Sequence, residues 1–380
     1  MIKLLEPSLD LEEKKYVLKA LEKKEISTYG SFSREFENKI GSINKAKYNL
    51  ALTSGSVALY LANKICGANN DAIILAPSYT FVATINSIVH SGASPWLFDI
   101  SPSNLCIDLD QIEEFLSKKT IKKNNFFYSS KAKKKILAIC VVLTFSIVPD
   151  LIRIKKICKK YKLKLIIDAA CAFGSKYEDK ALTHYADLVI YSFNGNKPIT
   201  CGGGGVLSTN NKKIYEKAKL LASNGKIKKN YDYKLFGHNY KITNIHAAIG
   251  IGQLNRYKKI VDKKKKIQNT YFKNIFNKNL LFLSKLFDIN YNLWINFVLA
   301  KNRMTAKKLI NLLNKKKVET YLFWKPIHLQ KFAKKINREK MKYTNHIWNR
   351  IVPLPSSVDL KKNDQTKITN LLNRFKNEVQ

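Results

Sequence analysis

The stretch "YSFNGNKPITCGGGGVLSTNN" (residues 191–211) sets one lysine, Lys197, between an aromatic strand end and a run of four glycines. The segment leading into it, "ADLVIYSF" (186–193), is apolar along its length, as is "LKLIIDAA" (163–170) upstream. Strands with no polar face belong to parallel sheets covered on both sides. Between them, "DLIRIKKICKKYK" (150–162) places Leu151, Ile154, Ile157, Cys158 and Tyr161 on one helical face. Further back, "DAIILAPSYTF" (71–81), "VATINSIVHSG" (82–92) and "SPWLFDI" (94–100) repeat the strand–helix–strand rhythm. The expected fold is α/β: a mostly parallel sheet between helices, with the loops at the carboxyl ends of the strands building the site. The segment 243–275, "TNIHAAIGIGQLNRYKKIVDKKKKIQNTYFKNI", reads as one long helix, after which the pattern turns to short mixed α and β pieces. This puts a boundary near residue 255, with a large domain over 1–255 and a smaller α+β domain over 256–380.

The chain has 380 residues, 45% of them apolar, enough for a large core and more than one core usually holds. No run reaches the roughly 18 apolar residues of a membrane span, and the start "MIKLLEPSLDLEEKKY" is acidic and amphipathic where a secretory leader is basic and then apolar. A cytoplasmic protein is expected, with no membrane partner. The six cysteines, Cys66, Cys106, Cys140, Cys158, Cys171 and Cys201, form no CxxC pair and are expected to be free thiols, not zinc ligands. A formal charge of +40 can signal nucleic-acid binding. The lysines, however, are spread along the whole chain among asparagine and isoleucine, with no zinc finger, RNP-type motif or basic zipper. Nucleic acid is not an expected partner, and the lysine runs at 119–135 and 228–234 read as solvated loops.

Three strand ends carry the chemistry. At "LTSGSVALYLANKI" (52–65), Ser54, Gly55 and Ser56 precede an apolar helical run, so free backbone N–H groups and a capping hydroxyl form an anion site suited to a phosphate. At "KLIIDAACAFG" (164–174), Asp168 emerges from an apolar strand, where a carboxylate is costly without a cation or hydrogen-bond donor. At the third end stands Lys197, with Ser192 five residues earlier as a second hydroxyl for the anion. Each feature alone has an ordinary structural use, as a cap, a turn or a solvated amine; their order and spacing together match the needs of pyridoxal phosphate. The lysine bonds the aldehyde, the aspartate keeps the pyridine nitrogen protonated, and the loop amides neutralise the phosphate.

From about residue 25 to 375 the chain resembles the DegT/DnrJ/EryC1/StrS family of nucleotide-sugar aminotransferases, pyridoxal phosphate enzymes of fold type I. The matching motifs are "SGSVALYLA", "PSYTFVATINSIVHSGASPWLFDI", "IIDAACAFGSKY", "YSFNGNKPITCGGGGVLST", "GHNYKITNIHAAIGIGQL" and "FWKPIHLQ…LPSS". The forms "SFNGNK", "WKP.H" and "LPSS" look most like the subgroup that aminates UDP-4-keto-6-deoxy-N-acetylhexosamines. The resemblance implies a seven-stranded, mostly parallel sheet in the large domain and a smaller C-terminal domain. It implies Lys197 as the lysine that bonds the cofactor and moves the proton, Asp168 as the partner of the ring nitrogen, and Phe81 as the ring that stacks on it. Ser54, Gly55, Ser56 and Ser192 fall at the phosphate, and Cys171 beside the ring. Asn239 matches an asparagine that reaches the neighbouring subunit's phosphate, which implies a homodimer with shared sites. Ser27, Thr28, Tyr29 and Gly30, and Tyr321, Trp324, Lys325 and His328, match segments near the sugar nucleotide. The implied reaction moves an amino group from an amino acid, by analogy glutamate, to a nucleotide-linked keto-sugar.

Several positions depart from that pattern. Cys171 stands where Gln, His or Glu is usual; Leu143 and Ser146 replace a histidine and a glycine; Lys241 and Tyr321 replace arginines; and Pro198 follows the lysine, biasing it toward an extended backbone. A degenerate relative that only binds sugar nucleotides would also show such departures, whereas retention of both Lys197 and Asp168 favours an enzyme. A GDP- or dTDP-linked sugar is the other alternative for the substrate.

Overall fold

The computed structural model describes residues 1–227, 231–282 and 294–376. The main sheet is built from β1 (Tyr48–Leu52), β2 (Ala72–Pro77), β3 (Ser94–Phe98), a hairpin of β4 (Thr120–Lys123) and β5 (Phe126–Ser129), then β6 (Lys135–Val142) and β7 (Lys164–Asp168). A two-residue pair, β8 (Lys176–Tyr177) and β9 (Lys180–Ala181), stands apart, and β10 (Leu188–Ser192) and β11 (Gly205–Thr209) complete the large unit. The seven expected strands run in the order β1-β11-β10-β7-β6-β2-β3. They are parallel from β10 to β3, with β11 antiparallel to both its neighbours. Among the described residues the sheet nevertheless has ten strands, because the β4–β5 hairpin joins at β6 and a short C-terminal strand, β14 (Asn337–Arg338), extends the β3 edge.

That hairpin corrects the reading of 119–135 as a solvated loop. Thr120–Lys123 pairs with Phe126–Ser129, and the Lys135 ammonium sits 3.0 Å from the centroid of the Phe126 ring. The β-forming residues Thr120, Ile121, Phe126, Phe127 and Tyr128 were outweighed by the lysines around them. Of the second run, residues 228–230 lie outside the described residues.

Burial on both faces explains the apolar strands. Leu165 and Ile167 enter one core with Phe36, Phe98 and Phe193, while Ile166 enters the other with Leu50, Leu59 and Ile85. The segment 243–275 forms two helices, Asn244–Asn255 and Tyr257–Asn274, broken at Arg256, whose guanidinium holds the buried Glu13 carboxylate at 2.9 Å. Beyond them a three-stranded antiparallel sheet, β12 (Leu280–Phe282), β13 (Asn296–Ala300) and β15 (Ile351–Leu354), packs with helices Arg303–Lys315 and Lys362–Arg374 around Leu309, Leu313, Val352 and Leu372. An aromatic seam of Tyr79, Phe145, Trp294, Phe297 and Phe323 adjoins the large sheet.

Parallel pairing sends the ends of β2, β6, β7 and β10 to one edge, so Ser78, Leu143, Asp168 and Ser192 share it. Antiparallel β11 starts at that same edge, where Gly205 pairs with both Ser192 and Leu52. The approach is close: a Cβ on Gly205 would lie 2.4 Å from Gly55 N, and one on Gly55 would lie 2.9 Å from Ser192 Cβ. Bare backbone at both positions lets the helix Gly55–Ile65 begin against the Ser192 strand end. Gly205→Ala should therefore cost about 1–3 kcal/mol in overpacking and lift the helix start off Ser192. The check is a lower melting temperature together with faster loss of bound cofactor; an unchanged melting temperature would refute the tight contact.

Candidate active site

A cavity of about 450 Å³ opens at this strand edge, lined by Ser54, Gly55, Ser56, Phe81, Asp168, Cys171, Ser192, Lys197, Tyr321 and Trp324 among others. Ten of the residues expected at the site thus meet in one hollow. Ser54 caps the helix Gly55–Ile65 from an extended backbone, its hydroxyl accepting the Val57 N–H at 3.2 Å. The first N–H groups of that helix have no carbonyl a turn behind them, and they bear the positive end of its dipole. With the Ser192 hydroxyl opposite, this is a cradle for a small dianion.

Asp168, at the end of β7, is only 4% exposed. Its Oδ2 accepts from the Thr84 hydroxyl at 2.8 Å and its Oδ1 from the Ala170 N–H at 3.1 Å. Among the described residues no ion pair holds it. Burial raises its pKa, and the Thr84 and Ala170 hydrogen bonds and the charge of Lys197 counter that only in part. Such a carboxylate, facing a cavity without a protein cation bonded to it, calls for a cationic group on the ligand.

Lys197 closes a turn in which its N–H donates to the Asn194 carbonyl at 3.0 Å. Its ammonium lies 4.2 Å from the centroid of the Trp294 ring and donates to Cys171 Sγ at 3.2 Å. Burial pushes the Cys171 thiol up, against the opposing pull of Lys197, so Cys171 accepts as a neutral thiol. Ser146, at φ 71° in the left-handed region where glycine is favoured, donates its hydroxyl to the Cys171 carbonyl at 2.5 Å. Leu143 is buried and lines the cavity.

Other expected site residues lie elsewhere. His328 is a strut and not a lining residue: its Nδ1 pairs with the Ser78 hydroxyl at 2.6 Å and its Nε2 with Asn345 Oδ1 at 2.9 Å. Burial depresses its pKa, favouring the neutral ring. Lys325 is exposed and does not line the cavity. Thr28, Tyr29 and Gly30 line a second, polar cavity of about 760 Å³ beside the helix Phe32–Asn44, with Arg34, Lys219 and Lys241. Ser27 and Tyr29 are tied there through their carbonyls to Asn244. Within that cavity Glu37 accepts the Ala51 N–H at 2.9 Å, and burial pushes its pKa up to about 7 despite Lys241. Asn239 is exposed and outside the 450 Å³ hollow of its own chain.

Three contributors escaped the sequence reading. Thr84 sits in the first turn of the helix Val82–His90, and with Thr80, 2.7 Å away, makes a hydroxyl pair at i, i+4, which was a usable signal. Asn196 offers a carbonyl to Trp294 Nε1 at 2.9 Å. Trp294 has no local motif to announce it.

An anion cradle, an unpaired buried carboxylate and a reachable amine, walled by Phe81 and Trp324 with ring centroids 6.2 Å apart, fit pyridoxal phosphate group for group. Such a site suits a pyridoxal-phosphate enzyme. The DegT/DnrJ/EryC1/StrS aminotransferase family model matches residues 7–373, and the chain belongs to that family. It is 30% identical to the GDP-perosamine synthase of Escherichia coli O157:H7 over 98% of both chains. With the UDP-4-amino-4,6-dideoxy-N-acetyl-beta-L-altrosamine transaminase of Helicobacter pylori it shares 29% identity, covering 93% of this chain and 92% of that protein. Among solved structures, Helicobacter pylori PseC, an aminotransferase involved in the biosynthesis of pseudoaminic acid, superposes with a TM-score of 0.87 at 26% identity over 98% of each chain. The protein is a pyridoxal phosphate-dependent aminotransferase.

If Thr84 holds the Asp168 charge, Thr84→Val should remove about 1.5–3 kcal/mol of carboxylate stabilisation. Asp168 would titrate higher still, so the acid limb of the rate profile should move to higher pH. Asp168→Asn should lower turnover on the order of a thousandfold, as loss of a main electrostatic stabiliser does. Steady-state rates across pH for both variants are the measurement; a wild-type profile in either removes the assigned role.

Proposed function

We propose that the protein transfers an amino group from glutamate to a UDP-linked 4-keto-6-deoxy-N-acetylhexosamine, with Lys197 as the acid–base residue and Asp168 as the partner of the cofactor ring nitrogen. One observation carries the chemical part: Asp168, buried and without an ion-pair partner among the described residues, lines the same cavity as Lys197. The substrate is supported by the "SFNGNK", "WKP.H" and "LPSS" forms and by the likeness to the Helicobacter transaminase. The 30% identity to a GDP-perosamine synthase favours a second reading, a GDP-linked keto-sugar.

When bound, pyridoxal phosphate supplies an aldehyde that carries the amino group and a ring that withdraws electrons from the reacting carbon. Ser54, Gly55, Ser56 and Ser192 would anchor its phosphate, and Phe81 would cover its ring. Asp168 keeps a proton on the ring nitrogen. Lys197 removes the Cα proton of the donor and returns a proton to the sugar carbon that gains nitrogen. Trp294, Trp324 and Phe323 keep water from the amine. Cys171 would offer the ring a weaker hydrogen-bonding group than an amide or imidazole.

Lys197→Ala should fold, lose turnover and lose the borohydride-fixable bond to the cofactor. Peptide mapping of the reduced wild type should find the label on Lys197, and a label on another lysine would overturn the assignment. The same preparation, offered UDP- and GDP-linked 4-keto-6-deoxy sugars with glutamate, separates the two substrate readings by kcat/KM.

The site is further proposed to be shared in a two-fold dimer. Asn239 is exposed on a loop that also exposes Tyr231, Tyr233 and Phe236, the last fully, and such an apolar edge suits a second copy. Mixing inactive Lys197→Ala and Asn239→Ala proteins with subunit exchange should restore up to half of wild-type activity per heterodimer. One site then carries both lesions and the other neither. Verified heterodimers without activity would exclude the shared site.

A further inference from the structure

Helix Tyr257–Asn274 carries a lysine, Lys264, that is 3% exposed and has no part in the chemistry above. Its Nζ donates to the Trp294 carbonyl at 2.8 Å and to the Ser356 carbonyl at 2.7 Å. No carboxylate pairs with it among the described residues, and burial alone draws its pKa down to about 7. Two carbonyl acceptors match the two N–H donors of a neutral amine, whereas an ammonium would leave a third N–H without a partner. The lysine is therefore no surface charge folded inward but a two-point clip.

Both clipped segments bear on the site. Trp294 follows into β13 and turns its ring over Lys197, with Nε1 held by the Asn196 carbonyl one residue before that lysine. Its backbone N–H reaches the Ser146 hydroxyl at 3.3 Å, the same hydroxyl that holds the Cys171 carbonyl. Ser356, in the "LPSS" motif, accepts the Asn296 N–H on its hydroxyl at 2.9 Å and donates to the Leu354 carbonyl at 2.7 Å. Tyr271, two turns along the helix, donates to the neighbouring Pro355 carbonyl at 2.8 Å. The indole's height over Lys197 thus depends on where the helix sets the Trp294 main chain.

We propose that Lys264 is a positioning residue: by clipping the Trp294 and Ser356 carbonyls to one helix it fixes the Trp294 indole over the Lys197 amine. This rests on Lys197 as the reacting amine, and the test separates the two claims. In cofactor-free protein the accessibility of Lys197 is read by brief acylation and peptide mass spectrometry, independently of turnover. Trp294→Leu should raise Lys197 labelling severalfold, and Lys264→Met, which keeps chain length but has no donors, should do the same. The double variant should show no further rise, since both act through one ring. In loaded enzyme Lys264→Met should lower kcat by about ten- to a hundredfold, the scale of a misplaced reacting group, with little change in KM for the sugar nucleotide. Lys264→Gln, whose amide supplies two N–H donors, should recover part of both losses.

Wild-type labelling and kcat in Lys264→Met would overturn the proposal, as would labelling effects of Lys264 and Trp294 that simply add. If neither Lys264→Met nor Lys264→Gln folds, the residue holds the fold, and the proposal fails. A reduced cofactor mapped to a lysine other than Lys197 would sink the prior assignment, while the labelling comparison would still report whether Lys264 governs the Trp294 ring.

Discussion

A carboxylate at the end of an apolar strand is the constraint on which this site depends. Asp168 cannot keep its charge in a sheet edge near Cys140 and between the two cores unless donors reach it, and among the described residues two do, the Thr84 hydroxyl and the Ala170 N–H. Ala170 lies in the turn out of β7 and is local, but Thr84 requires the fold to be right at a distance, since it comes from the helix after β2. Parallel pairing of β2, β6 and β7 brings those ends to one edge. Those donors offset its burial only in part, a deficit that the proposed protonated ring nitrogen would fill. On that proposal the cavity would favour a cationic heterocycle over a neutral ring of the same size.

The departures from the family pattern compensate one another. With Ser146 where glycine is usual, a hydroxyl is available to hold the Cys171 carbonyl, and the left-handed backbone at Phe145 and Ser146 is kept in place by packing. Phe145 is fully buried and its ring lies 4.6 Å from Phe297 and 5.5 Å from Trp324. A left-handed bulky residue costs on the order of 1–3 kcal/mol and persists only when its surroundings determine it. Here the surroundings are the aromatic seam that also carries Trp294. The seam therefore does two things at once: it joins the C-terminal sheet to the large one, and it walls the amine against water.

What the sequence disclosed followed from periodicity and order. Buried strands, their helical partners and the three strand-end groups were legible because each is local: an apolar run, a cap, a residue at its end. Residues whose role comes from tertiary placement were not. Trp294 acts on Lys197 from nearly a hundred positions away in the chain, and nothing in "NLWINF" separates a wall from a core residue. His328 looked like a substrate contact because its motif lies near one in relatives, yet its ring is spent on Ser78 and Asn345. The β4–β5 hairpin was hidden by lysines, whose aliphatic stems tolerate a strand while their charges read as loop.

The charge inventory of the cavity bears on the proposal that two chains share each site. Among its described lining residues Lys197 is the single cation and Asp168 the single anion, while the proposed substrate brings two phosphates and the cofactor a third. The helix N-terminus with the Ser54, Ser56 and Ser192 hydroxyls would answer the cofactor's phosphate, but no described cation lining the hollow besides Lys197 is there for the other two. Cations do gather elsewhere on the chain: Arg34, Lys219 and Lys241 line the second cavity together with Thr28, Tyr29 and Gly30, the segment expected near the sugar nucleotide. Residues that match a substrate-binding segment yet stand apart from their own chain's amine are what a shared site would require. In that arrangement each subunit supplies the acid–base lysine to one reaction and the phosphate-facing surface to the other. Net positive charge then has a local use beyond its spread along the chain, since it sets the attraction felt by a dianionic sugar nucleotide approaching a mouth that its own lining leaves nearly neutral.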